Sequence, residues 1–421
     1  MSELAVWLSI PVLIVEAALG VLVGYLLLLT VAALFARRAT DRPPEPKHRF
    51  AILIPAHDEE RLLPETLASL VALDYPKALY DVHVVADNCT DRTAEIARSA
   101  GVHVYERFNT ELVGKGHALN WLMEQIRGAG GQGAREQGSG GAGEQGSKAR
   151  RMMLSQYDAI VIFDADTVVS PGFLRVMDAW LTRGENAVQG YYAVRDPTRS
   201  WGVALRYAAL AVLHYLRPLG RSVLGGTTGF KGNGLCLRAD LARRFAWSGS
   251  LTEDIQYHME LVLAGERVAF APDAVLEAEM PGTLHGARTQ NVRWERGRLQ
   301  MIRAYVPQLL RAAFRQRRFV PFDAAMEQLI PPTAVLTALI GACTLAGVVL
   351  GLWGHWTVAG VGLALLAGEA IYLIVGLLLV RAPVRVWLAL VYAPIFLIWK
   401  VGLYLRVLAG RERQGWVRTQ R

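Results

Sequence analysis

The chain has 421 residues, 52% of them hydrophobic and only 19% charged, with a mean hydropathy of +0.25. That is too apolar for an ordinary soluble protein and too charged for a bundle wholly in lipid, so a globular domain joined to membrane-embedded segments is expected. Lys and Arg number 45 against 37 Asp and Glu, leaving +8, which reads either as a nucleic-acid footprint or as a basic collar beside a membrane.

From residue 4 to residue 35 the only charge is Glu16, and a spanning helix needs about 20 apolar residues. The early positive region and shorter apolar core of a cleaved signal peptide are missing. Arg37, Arg38, Arg42 and Lys47 follow, so the positive-inside rule puts the next domain in the cytoplasm. Short, β-branched apolar runs at 50–55, 82–86, 102–105 and 159–163 then alternate with helical periodicity, as at 61–73 and 90–99. That order predicts an α/β, doubly wound, Rossmann-like domain with ligands outside the strands' carboxyl ends. Residues 128–150, rich in Gly, Gln and Ser, show no apolar periodicity and read as a disordered insertion. Cys89, Cys236 and Cys343 have no paired spacing, so neither a disulfide framework nor a zinc site follows. His57, His83, His117, His258 and His285 lack metal-ligand spacing and read as turn or packing residues.

Four acidic clusters fall where such a sheet places a ligand. PAHDEE at 55–60 and ADNCTD at 86–91 each end a strand and open a helix, with Asn88, Thr90 and Asp91 available as caps. In FDADT at 163–167 an apolar strand runs into Asp164 and Asp166, two residues apart and therefore on one side of an extended chain. Like charges that close need a compensating cation, and hard divalent ions bound through carboxylates and substrate phosphates supply one. In LTEDIQ at 251–256, Thr252 reads as a helix cap, with Glu253 and Asp254 favouring the helix's positive end. A carboxylate there also suits a general base.

Two apolar segments with basic residues, 199–221 within the domain and 297–319 after it, read as lying against a membrane or as amphipathic helices packed on the domain, the membrane being favoured for the second. Two spans are expected at 332–353 and 356–380, and Glu369 inside the second is a site candidate or a buried packing contact. The stretch 386–409 contains Pro394, Lys400 and Arg406 and precedes a basic tail. It reads as a helix lying in the inner interface or as a fourth span, the first being favoured because it keeps the tail in the cytoplasm. The expected organisation is a first span in 1–37, the catalytic domain in 49–296, interfacial helices in 297–330, two spans in 331–381 and an interfacial or spanning helix with its tail in 384–421. With the arginines beside apolar segments, the basic excess reads as a lipid-facing collar, and nucleic-acid binding is set aside.

PAHDEE, ADNCTD, GKGHALN at 114–120, DAD, TED and QNVRW at 290–294 occur in the order seen in family 2 glycosyltransferases. The set resembles membrane-integrated synthases of β-linked glycans, including cellulose, chitin, hyaluronan and poly-N-acetylglucosamine synthases and rhizobial chitooligosaccharide synthases. The resemblance implies a GT-A domain in a multi-pass protein of the inner membrane, with the catalytic domain cytoplasmic. It implies that Asp87 contacts the uracil of a UDP-sugar, with Pro55 and Asp58 lining the same pocket, and that Lys115 approaches the diphosphate. Asp166 would ligate Mg2+ or Mn2+ with Asp164 beside it, and Asp254, next to Glu253, would deprotonate the acceptor hydroxyl. Gln290, Trp294 and Thr252 would border the acceptor, a glycan or a lipid, and Arg293 would contact the leaving diphosphate. One base and no second carboxylate placed as nucleophile favours inversion. WVRT at 416–419 resembles a gating-loop motif of those synthases but stands at the extreme C-terminus, and so few spans imply a short product or a path completed by protomers of a homo-oligomer or by partners.

Overall fold

The computed structural model describes residues 2–36, 45–128, 156–281 and 284–409, so WVRT and nearly all of 128–150 lie outside the described residues. Two compact units divide the chain: a sheet unit of residues 39–192 and 228–279, and a helical unit of residues 1–38, 193–227 and 280–421.

In the sheet unit the strands are β1 (Phe50–Ala56), β2 (Tyr80–Asp87), β3 (His103–Arg107), β4 (Ala159–Ile162), β5 (Thr167–Val169), β6 (Ala187–Val194), β7 (Leu235–Arg238) and β8 (Ala269–Ala278), in the order β3-β2-β1-β4-β7-β6-β8-β5. β1 pairs in parallel with β2 and β4, and β2 with β3. β7 runs antiparallel to β4 and β6, and β5 to β8. The parallel arrangement expected from strand–helix alternation therefore covers half of a mixed sheet. β5 begins five residues after β4 ends, too few for a parallel crossover of about a dozen residues, so it pairs with a distant strand instead.

β1 and β4 are apolar throughout because both their faces are covered. Ile52, Ile54 and Val161 pack with Leu63, Leu67, Phe173 and Met177 on one face. Leu53, Ile160 and Ile162 pack with Leu119, Leu122, Tyr257 and Leu261 on the other. Pro55 fits β1 because the last β1–β4 pair is Leu53↔Ile162. The Leu53 carbonyl accepts from Phe163 N–H at 3.1 Å on the β4 side, and Pro55, two residues on, would point its missing N–H the same way, beyond the ladder. Since β1, β2 and β4 are parallel, the segments after Ala56, Asp87 and Ile162 emerge at one rim. β7 starts at that rim, Leu235 lying opposite Ile162. Three acidic loops and the turn 231–234 therefore converge.

The helical unit contains helices Ser2–Leu34, Trp201–Ala211, Arg217–Val223, Leu284–Gln316, Phe319–Leu329, Thr333–Gly351, Trp356–Leu379, Val384–Ala389 and Ala393–Leu408. Four stretches are long and apolar enough to cross a membrane: Val6–Leu34, Thr333–Gly351, Trp356–Leu379 and Val384–Leu408. The fourth overlaps the segment 386–409, for which an interfacial helix was the favoured expectation and a span the other. Glu369 is buried and its Oε1 accepts from Thr337 Oγ1 at 2.9 Å, a contact between neighbouring helices.

Two arginines of 199–221 are inside the helical unit. Arg217 and Arg221 do not face outward; they are 3% and 1% exposed. Arg221 pairs with Glu327 at 2.6 Å and Asp323 at 3.5 Å, and Arg217 donates to the Tyr372 hydroxyl at 2.6 Å. A buried guanidinium needs such partners, and none of them is adjacent in sequence.

Candidate functional site

At the rim, the loops after β1 and β2 are laced together. Asp58 adopts φ 54, and its Oδ1 accepts from the Thr90 N–H at 2.6 Å and the Thr90 hydroxyl at 3.2 Å. His57 Nδ1 lies 2.7 Å from the Asp87 carbonyl, and Glu59 N–H donates to Thr93 Oγ1 at 2.8 Å. Of Asn88, Thr90 and Asp91, Asp91 binds the start of the next helix, its Oδ1 accepting from Thr93 N–H at 2.9 Å, while Arg92 holds the cap position. Asn88 instead binds the backbone of Asn109, at 2.8 and 3.0 Å. Asp87 is buried and its Oδ1 accepts from Arg107 Nη1 at 2.5 Å. The two stand opposite each other in the β2–β3 register. Arg107 thus joins the site unannounced by any motif.

Asp164 and Asp166 follow β4, Asp164 half-buried and Asp166 buried. Lys115, which opens the helix Lys115–Gly128, donates to Asp164 Oδ1 at 2.5 Å and to the Gly232 carbonyl. Asn233, fully buried, braces the acidic turn. Its Oδ1 accepts from Asp164 N–H at 3.1 Å and its Nδ2 donates to Thr167 Oγ1 at 2.8 Å. The flanking Gly232 and Gly234 adopt φ 71 and 68, a region in which side chains are strained. The donor set of the acidic turn is hard carboxylate oxygen without thiolate or imidazole, the chemistry suited to Mg2+ or Mn2+.

Asp254 lies in the first turn of helix Glu253–Leu263. A Cβ placed on Gly232 would stand 3.4 Å from the Asp254 carboxylate and 3.8 Å from Lys115 Nζ, so Lys115, Asp164 and Asp254 gather around that glycine. Burial alone would lower the Lys115 pKa, but Asp164, Glu253 and Asp254 outweigh it and hold the ammonium above its ordinary value. Burial raises Asp254 above an ordinary aspartate, against the Ile255 N–H, Lys115 and Lys231, which lower it. Thr252 occupies the cap position, but its side chain makes no capping bond; its buried hydroxyl has no hydrogen-bond partner among the described residues.

The segment before Thr252 is held by the GKGHALN helix. Asn120 Nδ2 donates to the Trp247 carbonyl at 2.6 Å, and its Oδ1 accepts from Trp247 N–H at 2.9 Å. A Cβ on Gly116 would come within 2.0 Å of the Ser248 carbonyl oxygen, so only glycine fits. The Trp247 ring stacks on Tyr257 of the Asp254 helix at 4.2 Å. The motif thus supplies Lys115 and also anchors the loop that delivers Asp254.

Gln290, Arg293 and Trp294 belong to the helical unit, on Leu284–Gln316. Their spacing puts them on one helix face. Gln290 is buried, Arg293 half-buried and Trp294 exposed. Two neighbours on that helix are anchored: Lys400 Nζ pairs with Glu295 at 2.8 Å and donates to Asn291 Oδ1 at 2.5 Å.

A family model described as "Glycosyltransferase like family 2" matches residues 46–297. The probable glycosyltransferase YdaM of Bacillus subtilis is 23% identical over 279 residues, 65% of this chain and 60% of that protein. The beta-monoglucosyldiacylglycerol synthase of Nostoc is 25% identical over 300 residues, 70% of this chain and 58% of that one. The poly-beta-1,6-N-acetyl-D-glucosamine synthase of Staphylococcus epidermidis is 22% identical over 59% of this chain and 54% of its own length. This chain spans between half and two thirds of the length of these relatives. Among solved structures, the mannosyltransferase PcManGT of Pyrobaculum calidifontis, in complex with GDP-Man and Mn2+, overlays with a TM-score of 0.51. It is 17% identical, over 90% of this chain and 98% of that one, a likeness of fold.

Proposed function

The chain belongs to glycosyltransferase-like family 2 and has a GT-A fold, and from that premise we propose an inverting, membrane-integrated enzyme that transfers a sugar from a UDP-sugar to the end of a growing β-linked glycan. The observation that carries the reading is the gathering of Lys115, Asp164 and Asp254 around Gly232 at the rim where β1, β2 and β4 end. Asp58 and Asp87 line the nucleotide end. Lys115, cationic across the physiological range, meets the diphosphate as a point charge. A divalent cation, Mg2+ or Mn2+, held by Asp164 and Asp166 would add positive charge where the leaving diphosphate gains negative charge. Asp254 accepts the proton of the acceptor hydroxyl as that oxygen attacks the sugar, while UDP departs from the opposite face. Gln290 and Trp294 would bind the acceptor, Trp294 by stacking on a sugar ring, and Arg293 would contact the leaving diphosphate, the roles that the resemblance gives them.

A second reading, single transfer to a glycerolipid, is favoured by the similarity to beta-monoglucosyldiacylglycerol synthases, which extends over 70% of this chain. In both, the sheet unit would be cytoplasmic and the four apolar helices would lie in the inner membrane, a reading supported by the basic residues after the first apolar helix.

Purified protein in nanodiscs, supplied with a panel of UDP-sugars and with glycan or diacylglycerol acceptors, tests the reading. Asp166→Ala loses metal-dependent nucleotide binding by calorimetry, whereas Asp254→Asn binds UDP and forms no product. Normal turnover by Asp254→Asn removes the base assignment, and product size and extractability into organic solvent separate the two acceptors.

A further inference from the structure

The helical unit holds a groove of about 490 Å³ between the start of helix Trp201–Ala211 and the segment Val384–Tyr392. Its lining combines polar and apolar side chains: Thr198, Ser200 and Arg385 with Trp201, Leu388 and Tyr392. The Trp201 and Tyr392 rings lie 5.6 Å apart, tilted by 36°, and both remain partly exposed, Trp201 by 38% and Tyr392 by 46%. Leu388 is 68% exposed on an apolar stretch long enough to cross a membrane.

The groove's depth in the bilayer follows from chain order. Helix Trp356–Leu379 ends five residues before Val384, so Arg385 stands at the end of a candidate span rather than at its middle. Trp and Tyr rings favour that headgroup level, with their apolar bodies inward and their polar edges in the wet layer. Arg385 is an exposed cation of the lining, and the Thr198 hydroxyl donates to Asp196 at 3.2 Å. A guanidinium with an adjacent hydroxyl recognises phosphate oxygens, and the apolar wall beside it accepts an acyl chain. A soluble anion would leave that wall wet, and an uncharged lipid would leave Arg385 unanswered.

We propose that this groove binds an anionic glycerophospholipid of the surrounding membrane, its phosphate at Arg385 and Ser200 and its first acyl carbons against Trp201, Leu388 and Tyr392. The inference rests on the membrane-integrated reading above. Bound lipid would hold the segment Val384–Tyr392 against helix Trp201–Ala211.

The test uses the full chain, purified in mild detergent and exchanged against phosphatidylglycerol or phosphatidylcholine, with native mass spectrometry counting retained lipid. Preferential retention of phosphatidylglycerol is expected. Arg385→Gln should weaken it about fivefold, the effect of one basic residue near an anionic surface, and Arg385→Lys should restore most of it. Trp201→Ala, which leaves the charge in place, should shorten lipid residence without changing the headgroup order. Equal retention of both lipids, or an Arg385→Gln variant as retentive as the parent, overturns the proposal, as does equal competition by tail-less glycerol 3-phosphate. Release of the chain from membranes by alkaline carbonate removes the membrane reading and this inference together. A membrane-bound chain indifferent to headgroup removes this inference alone.

Discussion

Asp254 sits between opposing influences, burial raising its pKa and the Ile255 N–H, Lys115 and Lys231 lowering it, with burial winning. A base works deprotonated, so activity is lost as pH falls through a value above that of an ordinary aspartate. Lys231→Met removes one lowering influence, and the acid limb of UDP release should move to still higher pH; a limb moving downward would contradict the assignment. Asn120 acts one step removed, through its two bonds to the Trp247 backbone. Asn120→Ala should leave UDP affinity unchanged and lower kcat roughly ten- to hundredfold, since small displacements of a catalytic group cost that much. Equal loss of nucleotide binding would mean general collapse instead. The acids of this site were legible in the sequence because paired carboxylates at strand ends are costly without a purpose. Arg107, Asn120 and Asn233 were not, since an arginine or an amide gains meaning only from the partner opposite it. The glycines around Asn233 were the one local signal.

Strands β1 to β4 were legible from their apolar runs, and their pairing from the helices between them. β5 and β7 were not: they have three and four residues, too few to display a period. β2 also carries a feature its pattern conceals. His83 is buried, stacks on His103 at 4.8 Å and lies 3.0 Å from the Tyr157 hydroxyl. Burial, helped by His103 and opposed by Asp81, pushes its pKa down from 6.5 to about 4. A histidine neutral in the fold but ordinary when unfolded leaves stability intact above about pH 6.5 and erodes it as pH falls towards 4, by up to about 3 kcal/mol. Thermal unfolding of the full chain in detergent should therefore fall more steeply between pH 6.5 and 4.5 than that of His83→Gln. Parallel curves would mean that His83 is not held neutral.

Chain order conceals more at the scale of the whole molecule, because the helical unit is assembled from three separated stretches. Hydropathy marked its apolar helices. It left unmarked the charges holding those stretches together, because hydropathy scores Arg221 or Lys400 as a surface residue whatever its partner. Within that unit Arg221, from 193–227, meets Asp323 and Glu327, from 280–421, and Tyr25 of the first helix donates to Asp323. Lys400, from the fourth apolar stretch, meets Glu295 beside Trp294. Lys400 is 6% exposed and Glu295 5%, so removing one partner strands a buried charge, at a cost of about 3–5 kcal/mol. Lys400→Met should lower the unfolding temperature in detergent sharply. Adding Glu295→Gln should recover most of the loss, because the neutral pair strands nothing. If the double variant is no more stable than Lys400→Met, the lysine contributes through packing of its aliphatic stem, and the charge pair does not hold the fourth apolar stretch to the helix carrying Gln290 and Trp294.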